Sequence, residues 1–238
     1  MKKILKILKK KWAEYIIEIL VIIIGILLAL FLDNWNENIT LKTERKNYLK
    51  TLKSDLVRDT VMLNNYLEIT NKELIKSQLI DNIIFSESTN FDTIVKLAKS
   101  YAFDNKAVSG IDEYHTSTFK ILESTGKFEL FNDDLKYKVF EIYRLQNQIK
   151  ADQSAFQTSF YDRIGSYIQK YRIKEPRAKE GGYVFNLSWN IKDEREFVVA
   201  FIDLSGFRTL LMFQYLDGYK NILQQTKDLI TYLDDQEN

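Results

Sequence analysis

The sequence predicts an all-α fold: one N-terminal transmembrane helix followed by a bundle of long antiparallel helices. Three observations carry this. An uninterrupted apolar run sits near the N-terminus, long stretches repeat apolar residues at spacings of three and four, and the chain has only one Pro and eight Gly in 238 residues. Sheet-rich chains need many turns, and turns use Gly and Pro. The 45% apolar and 28% charged composition is that of a folded chain rather than a disordered one. With no Cys present, disulfides, thiolate metal sites and Cys nucleophiles are excluded.

The run Tyr15–Leu32 holds eighteen residues and a single charge, Glu18, which is the pattern of a membrane span. Trp12 and Trp35 flank it. Their separation corresponds to about 35 Å of helix, enough to place an aromatic anchor at each face of a hydrocarbon core about 30 Å thick. Lys2, Lys3, Lys6, Lys9, Lys10 and Lys11 precede the run, and Asp33 and Glu37 follow it. Excess Lys stays in the cytoplasm, so residues 33 to 238 are expected outside. No small-residue cleavage pattern follows the run, so the anchor is expected to be retained. The organisation read from the chain is a basic cytoplasmic segment (1–14), a transmembrane helix (15–35) and an extracytoplasmic helical bundle (36–238). The inner membrane of a bacterial envelope is the expected location.

Within the span, a carboxylate is costly and points to function. Glu18, Gly25 and Ala29 fall on one helical face, and a small-xxx-small pair lets two helices approach closely. This face is a candidate for self-association into a homo-oligomer. The frequency of Gly and Ala in membrane spans and snorkelling of Lys10 or Lys11 to Glu18 account for the same residues.

The outer segment reads in order as follows. From Ile39 to about Ile84 no Pro or Gly intervenes, and Leu49, Leu52, Leu56, Leu63, Leu67 and Leu74 form an apolar stripe. This long helix is expected to continue straight out of the membrane and to need partner helices. Ser86 to Asn90 is a loop, with Asn90 capping a short helix through Tyr101. Residues 104 to 113 are loop, and Thr116 or Ser117 caps a short helix that ends near Ser124, with Gly126 just past it. Asn132 caps a second long helix to Tyr171, with Leu135, Val139, Ile142, Ile149, Phe156, Phe160, Ile164 and Ile168 on one face. Pro176, Gly181 and Gly182 interrupt, and Tyr183 to Trp189 alternates as a strand would. A short helix near Arg195 to Ile202 and a last long helix from Gly206 to Asp235 complete the pattern. Aromatic residues on the stripes are read as core.

Enzyme constellations are sparse. His115 is the one histidine in the sequence, which argues against a zinc site. Asp112, Glu113, His115 and Ser117 cluster in sequence, but triads are assembled by geometry from separate segments. A polar loop before a helix explains them better. Ser124-Thr125-Gly126-Lys127 lacks the upstream Gly of a phosphate loop and has Phe128 where Ser or Thr belongs. No cofactor is expected. Residues 1–32 carry six Lys against two Glu, and the remainder carries 28 positive against 31 negative side chains, so no nucleic-acid surface is indicated. The expected partners are the lipid bilayer, a second copy through the membrane helix and an unidentified envelope protein.

The segment Ile17-Glu18-Ile19-Leu20-Val21-Ile22-Ile23-Ile24-Gly25-Ile26-Leu27-Leu28-Ala29-Leu30, followed by Asn34-Trp35-Asn36-Glu37, resembles the "EIxLVVIGILIAL" and "NNWNE" signature of an uncharacterised family of bacterial single-spanning membrane proteins. Leu122 to Lys127, running on to Leu135 and Tyr143, is similar to that family's "LxxSGKL" and later aromatic positions. Phe31-Leu32-Asp33 departs from the polar Gln common before the first Asn. The family's function is unknown, so the resemblance implies a membrane location and a helical outer domain and transfers no catalytic residue. On these grounds the chain is expected to be a non-enzymatic scaffold or interaction module, with a ligand-sensing bundle as the alternative.

Overall fold

The computed structural model describes residues 2–101, 110–171 and 189–237. Five α-helices account for most of them: α1 (Lys2–Ile84), α2 (Phe91–Ser100), α3 (Ser117–Ser124), α4 (Asp133–Tyr171) and α5 (Glu194–Glu237), with a 3-10 turn at Lys127–Leu130. The fold is all-α, as the sequence predicts. The alternation expected over Tyr183 to Trp189 lies, Trp189 excepted, outside the described residues, as do Pro176, Gly181 and Gly182.

The helix boundaries follow from local chemistry. Asn90 Oδ1 accepts from Thr93 N–H at 2.9 Å and starts α2; Asn132 Oδ1 accepts from Leu135 N–H at 2.9 Å and starts α4. Asp193 Oδ1 takes the N–H groups of Arg195 and Glu196 at 2.9 and 3.1 Å and starts α5. Each side chain satisfies a donor that has no partner inside its helix. Gly126 closes the α3 region at φ 68°, a left-handed conformation in which an added Cβ is strained.

Two expected helices prove to be one. Arg195–Ile202 and Gly206–Asp235 are joined in α5 without a break. A single helical Gly costs about 1 kcal/mol relative to Ala. Here that cost is outweighed by side chains buried on both sides of it, Phe201, Leu204 and Ser205 before and Arg208, Leu211 and Met212 after.

α1 runs unbroken from the apolar segment into the core. Its outer half buries Leu49, Leu56, Leu63, Thr70, Ser77 and Ile84, every seventh residue. That spacing keeps one seam against its partners when long helices cross at a shallow angle. α5 packs back along it: Lys53 pairs with Asp234, Tyr66 packs on Tyr219, and Ser77 meets Met212. α5 is also antiparallel to α4, through Lys138 over the Tyr232 ring and the Arg163–Asp203 pair at 2.8 Å. α4 therefore runs in the same direction as α1. The stretch containing α2 and α3 is the crossover that returns the chain to the base.

The core has two lobes. Near the apolar segment of α1, Leu49, Leu52, Leu56 and Leu63 meet Leu122, Leu135, Val139, Tyr219 and Ile222. At the far end, Ile84 meets Val95, Phe160, Ile164, Phe197 and Phe201. Leu74, Met212 and Leu216 lie between them. Removal of this apolar surface from water is what drives the bundle together.

Candidate functional site

The residues predicted to matter in the span lie on α1. Trp12 and Trp35 are exposed, and so are Glu18, Gly25 and Ala29. A Cβ added at Gly25 would meet nothing within 4 Å. Among the described residues, one helix is long and apolar enough to cross a membrane, and its apolar window is not buried within the protein. The apolar segment's face is thus exposed, while the bundle's polar chemistry gathers elsewhere.

That chemistry centres on two carboxylates one turn apart on α1. Asp55 and Asp59 both face the core and are buried. Asp55 Oδ2 accepts from Thr118 N–H at 3.0 Å, Thr118 Oγ1 at 2.7 Å and Ser117 Oγ at 3.1 Å. The cap of α3 is supplied from α1 rather than by Thr116, whose side chain makes no capping bond. Asp59 Oδ1 accepts from the His115 backbone N–H at 2.9 Å and lies 2.8 Å from His115 Nδ1, while Asp59 Oδ2 accepts from Gln146 Nε2 at 2.9 Å. Four bases of the bundle meet here: α1, the crossover before α3, α3 itself and α4. Burial pushes the Asp59 carboxyl above the usual range, and the bonds from His115 and Gln146 offset only part of that effect.

The interior around Asp59 holds further polar atoms. Tyr114 Oη, Tyr143 Oη and Gln146 Oε1 are sealed from solvent and have no hydrogen-bond partner among the described residues. Burial and the negative charge of Asp59 push the Tyr114 and Tyr143 hydroxyls upward, with Asp55 adding to the effect at Tyr143. A step further along, Gln153 Oε1 accepts from Ile111 N–H at 2.9 Å and holds the part of the crossover that leads into α3. A Cβ at Gly110 would come within 2.6 Å of that same oxygen, so the bond requires Gly at this position.

The structure separates the residues whose clustering in sequence suggested a triad. Ser117 bonds to Asp55 and His115 to Asp59. The histidine and serine are each committed to a carboxylate on α1. Their arrangement orders a crossover and caps a helix.

A cleft of about 500 Å³ opens beside this junction, lined by Phe119, Phe140, Tyr143, Lys120, Arg144 and Lys150 among others. Phe119 stacks on Tyr143 at 3.8 Å and meets Phe140 edge-on at 5.3 Å. The cleft's floor is aromatic and its rim carries both signs of charge. A second polar layer lies in the far lobe: the buried Arg208 reaches Tyr101, Glu73 at 3.1 Å and Ser77 at 3.4 Å, and Asp81 accepts from Ser205 and Thr209.

Sequence reasoning passed over Asp55, Asp59, Gln146, Gln153 and Arg208. For some of them a signal is present. Asp59 follows Leu52 by seven residues and precedes Tyr66 by seven, and Gln146 and Gln153 fill gaps in the stripe Val139, Ile142, Ile149, Phe156. A polar residue on an apolar stripe is buried by its neighbours and must find a partner.

No curated protein and no solved structure matches the chain. The model of a family of unknown function, DUF6090, matches residues 18–144. The matched stretch takes in most of the apolar segment, all of α1 beyond it, both carboxylates, the crossover and the first turns of α4. With more than half of its length matched and the signature expected of it present, this chain belongs to that family of unknown function.

Proposed function

We propose that this chain is a membrane-anchored, non-enzymatic interaction module of the bacterial envelope. α1 spans the inner membrane between Trp12 and Trp35, its basic start lies in the cytoplasm, and residues 36 to 238 stand outside. The observation that carries this reading is the continuity of α1. One helix is both the apolar segment and the central member of the bundle core, so the bundle is held on a stiff post rather than a tether. The base of the bundle lies close to the membrane, because Arg45 meets Gln236 and Lys53 meets Asp234 near the end of α5. Glu18, Gly25 and Ala29 form the face through which two copies associate, and exposed faces of the bundle engage an envelope protein.

A reporter active only outside the cytoplasm, fused to the C-terminus, tests the orientation. An active fusion supports it, and an inactive but stably expressed fusion overturns it. Crosslinking in native membranes, compared between the parent and Gly25→Ile, tests the association. A lower dimer yield for the variant is expected, and equal yields remove this face as the contact. Crosslinking followed by identification of the captured proteins then names the partner.

The aromatic-floored cleft supports a second reading, in which the bundle senses a small ligand and passes the signal to a partner through the span. Under that reading, Phe140→Asp abolishes ligand-dependent stabilisation while leaving the fold intact. The unmatched polar atoms beside the cleft are sealed from it, which favours the interaction module as the primary reading.

A further inference from the structure

We propose that Asp59 and Gln146 form a proton-operated latch that tightens the base of the bundle when Asp59 takes up a proton. The geometry is asymmetric. Asp59 Oδ1 faces two donors, the His115 N–H at 2.9 Å and Nδ1 at 2.8 Å, whereas Oδ2, among the described residues, accepts only from Gln146 Nε2 at 2.9 Å. A carboxylate has no hydrogen to give, so the Nδ1 of His115 carries its proton in this state. Among the described residues, the buried Gln146 Oε1 meanwhile receives no bond.

A proton added to Asp59 therefore goes to Oδ2, because Oδ1 is occupied by two donors. The new O–H then faces the Gln146 amide N–H, donor against donor. A half-turn of the amide about its last side-chain torsion, a broad and nearly two-fold rotation, brings Oε1 to the O–H. No covalent bond in the protein other than the new O–H forms or breaks. The buried charge is neutralised and the α1–α4 hydrogen bond is kept with donor and acceptor exchanged, Oε1 gaining a donor as Nε2 gives up its acceptor, so the gain lies in removing the buried charge. The His115 ring, 41% exposed and in contact with Asp59, joins the sealed carboxylate to solvent.

The groups facing Asp59 are consistent with this. Asp55 lies one turn back on α1. The crossover contributes Tyr114 and His115, α4 contributes Tyr143 and Gln146, and from α5 Tyr219 borders Tyr114. The three tyrosine hydroxyls are all pushed upward by burial and stay neutral while Asp59 titrates. Burial raises Asp59 as well, so proton uptake falls above the ordinary carboxylate range. A carboxyl with a raised folded-state pKa contributes stability that is fully present in acid. That contribution is lost as pH rises through the folded value. Acid thus firms the junction where α1, the crossover and α4 meet.

The test uses the full chain in nanodiscs. In a His115→Asn background, where no imidazole can titrate against the carboxylate, the unfolding midpoint is expected to climb relative to the corresponding Asp59→Asn protein as pH falls from about 8 toward about 4. Asp59→Asn, whose amide donates to Gln146 Oε1 at every pH, is expected to lack that component. The same pH slope in both proteins overturns the proposal. Independently, the side-chain NH2 resonances of Gln146, assigned by their loss in Gln146→Leu, are expected to shift in the parent with a midpoint above the usual Asp value. Resonances that stay fixed across this range in the folded parent overturn it even where Asp59→Asn fails to fold.

Discussion

Single residues at the junction have outsized effects because their partners are buried. Asp55→Ala removes the acceptor for the Thr118 N–H, Thr118 Oγ1 and Ser117 Oγ, stripping the cap from α3 and leaving a buried donor unpaired. The expected loss is about 1–3 kcal/mol, read from denaturant unfolding, while Thr116→Ala at the nominal cap position is nearly neutral. Gly126→Val is expected to cost at least about 1 kcal/mol. A Cβ there meets nothing within 4 Å, so the cost comes from the left-handed backbone at φ 68° rather than from a clash. Gly206→Ala, in a helix and in open space, is expected to stabilise by up to about 1 kcal/mol. Equal effects of Ala at Gly206 and Val at Gly126 would contradict this account.

Among the elements, α1 is the one with two faces to tell apart. Leu63 is fully buried and Val61 is 67% exposed. Leu63→Ala is expected to lose about 2–5 kcal/mol, and Val61→Ala no more than about 0.5 kcal/mol, both measured by thermal or chemical unfolding. A reversed order would mean a different helical register. The contact of α1 with α5 in the far lobe includes a buried ion pair. Arg208 is 2% exposed at its side chain and lies 3.1 Å from Glu73. Glu73→Leu alone leaves that guanidinium without its countercharge and is expected to cost about 3–5 kcal/mol, whereas adding Arg208→Met recovers most of the loss. Additive losses in the double variant would show that the pair is not coupled.

At the scale of the whole molecule, the bundle is expected to unfold in strong alkali through its buried tyrosines. Burial pushes Tyr215 up to about 12 and raises Tyr114, Tyr143 and Tyr219 as well. A phenol with a raised folded-state pKa stabilises the fold below its unfolded value, about 10, and that stabilisation disappears as pH rises through the folded value. Absorbance titration near the phenolate band is expected to show a late group of tyrosines whose ionisation coincides with loss of helical circular dichroism. Late tyrosines that ionise while the helices remain intact would separate the two events. Because α1 is continuous, no break in the helix separates its apolar segment from the base of the bundle.

Local chemistry made much of this protein legible in its sequence. The apolar run, its Trp flanks, the stripes of Leu and Ile, the caps at Asn90 and Asn132 and the stop at Gly126 depend on residues within a few positions of one another. Periodicity and capping report such neighbours directly. The family signature lies in the same local stretch. Fusion of the last two helices was less legible, because a glycine's weak local preference yields to packing from both sides. The shared direction of α1 and α4 was not legible, since it is decided by where the crossover docks. The junction itself was only hinted at by polar residues on apolar stripes. Which carboxylate caps α3, which one takes His115, and which amide meets it are settled between residues some 56 to 87 positions apart. No local pattern specifies such pairs. They are chosen when desolvation forces each buried polar group to find a partner in the packed bundle.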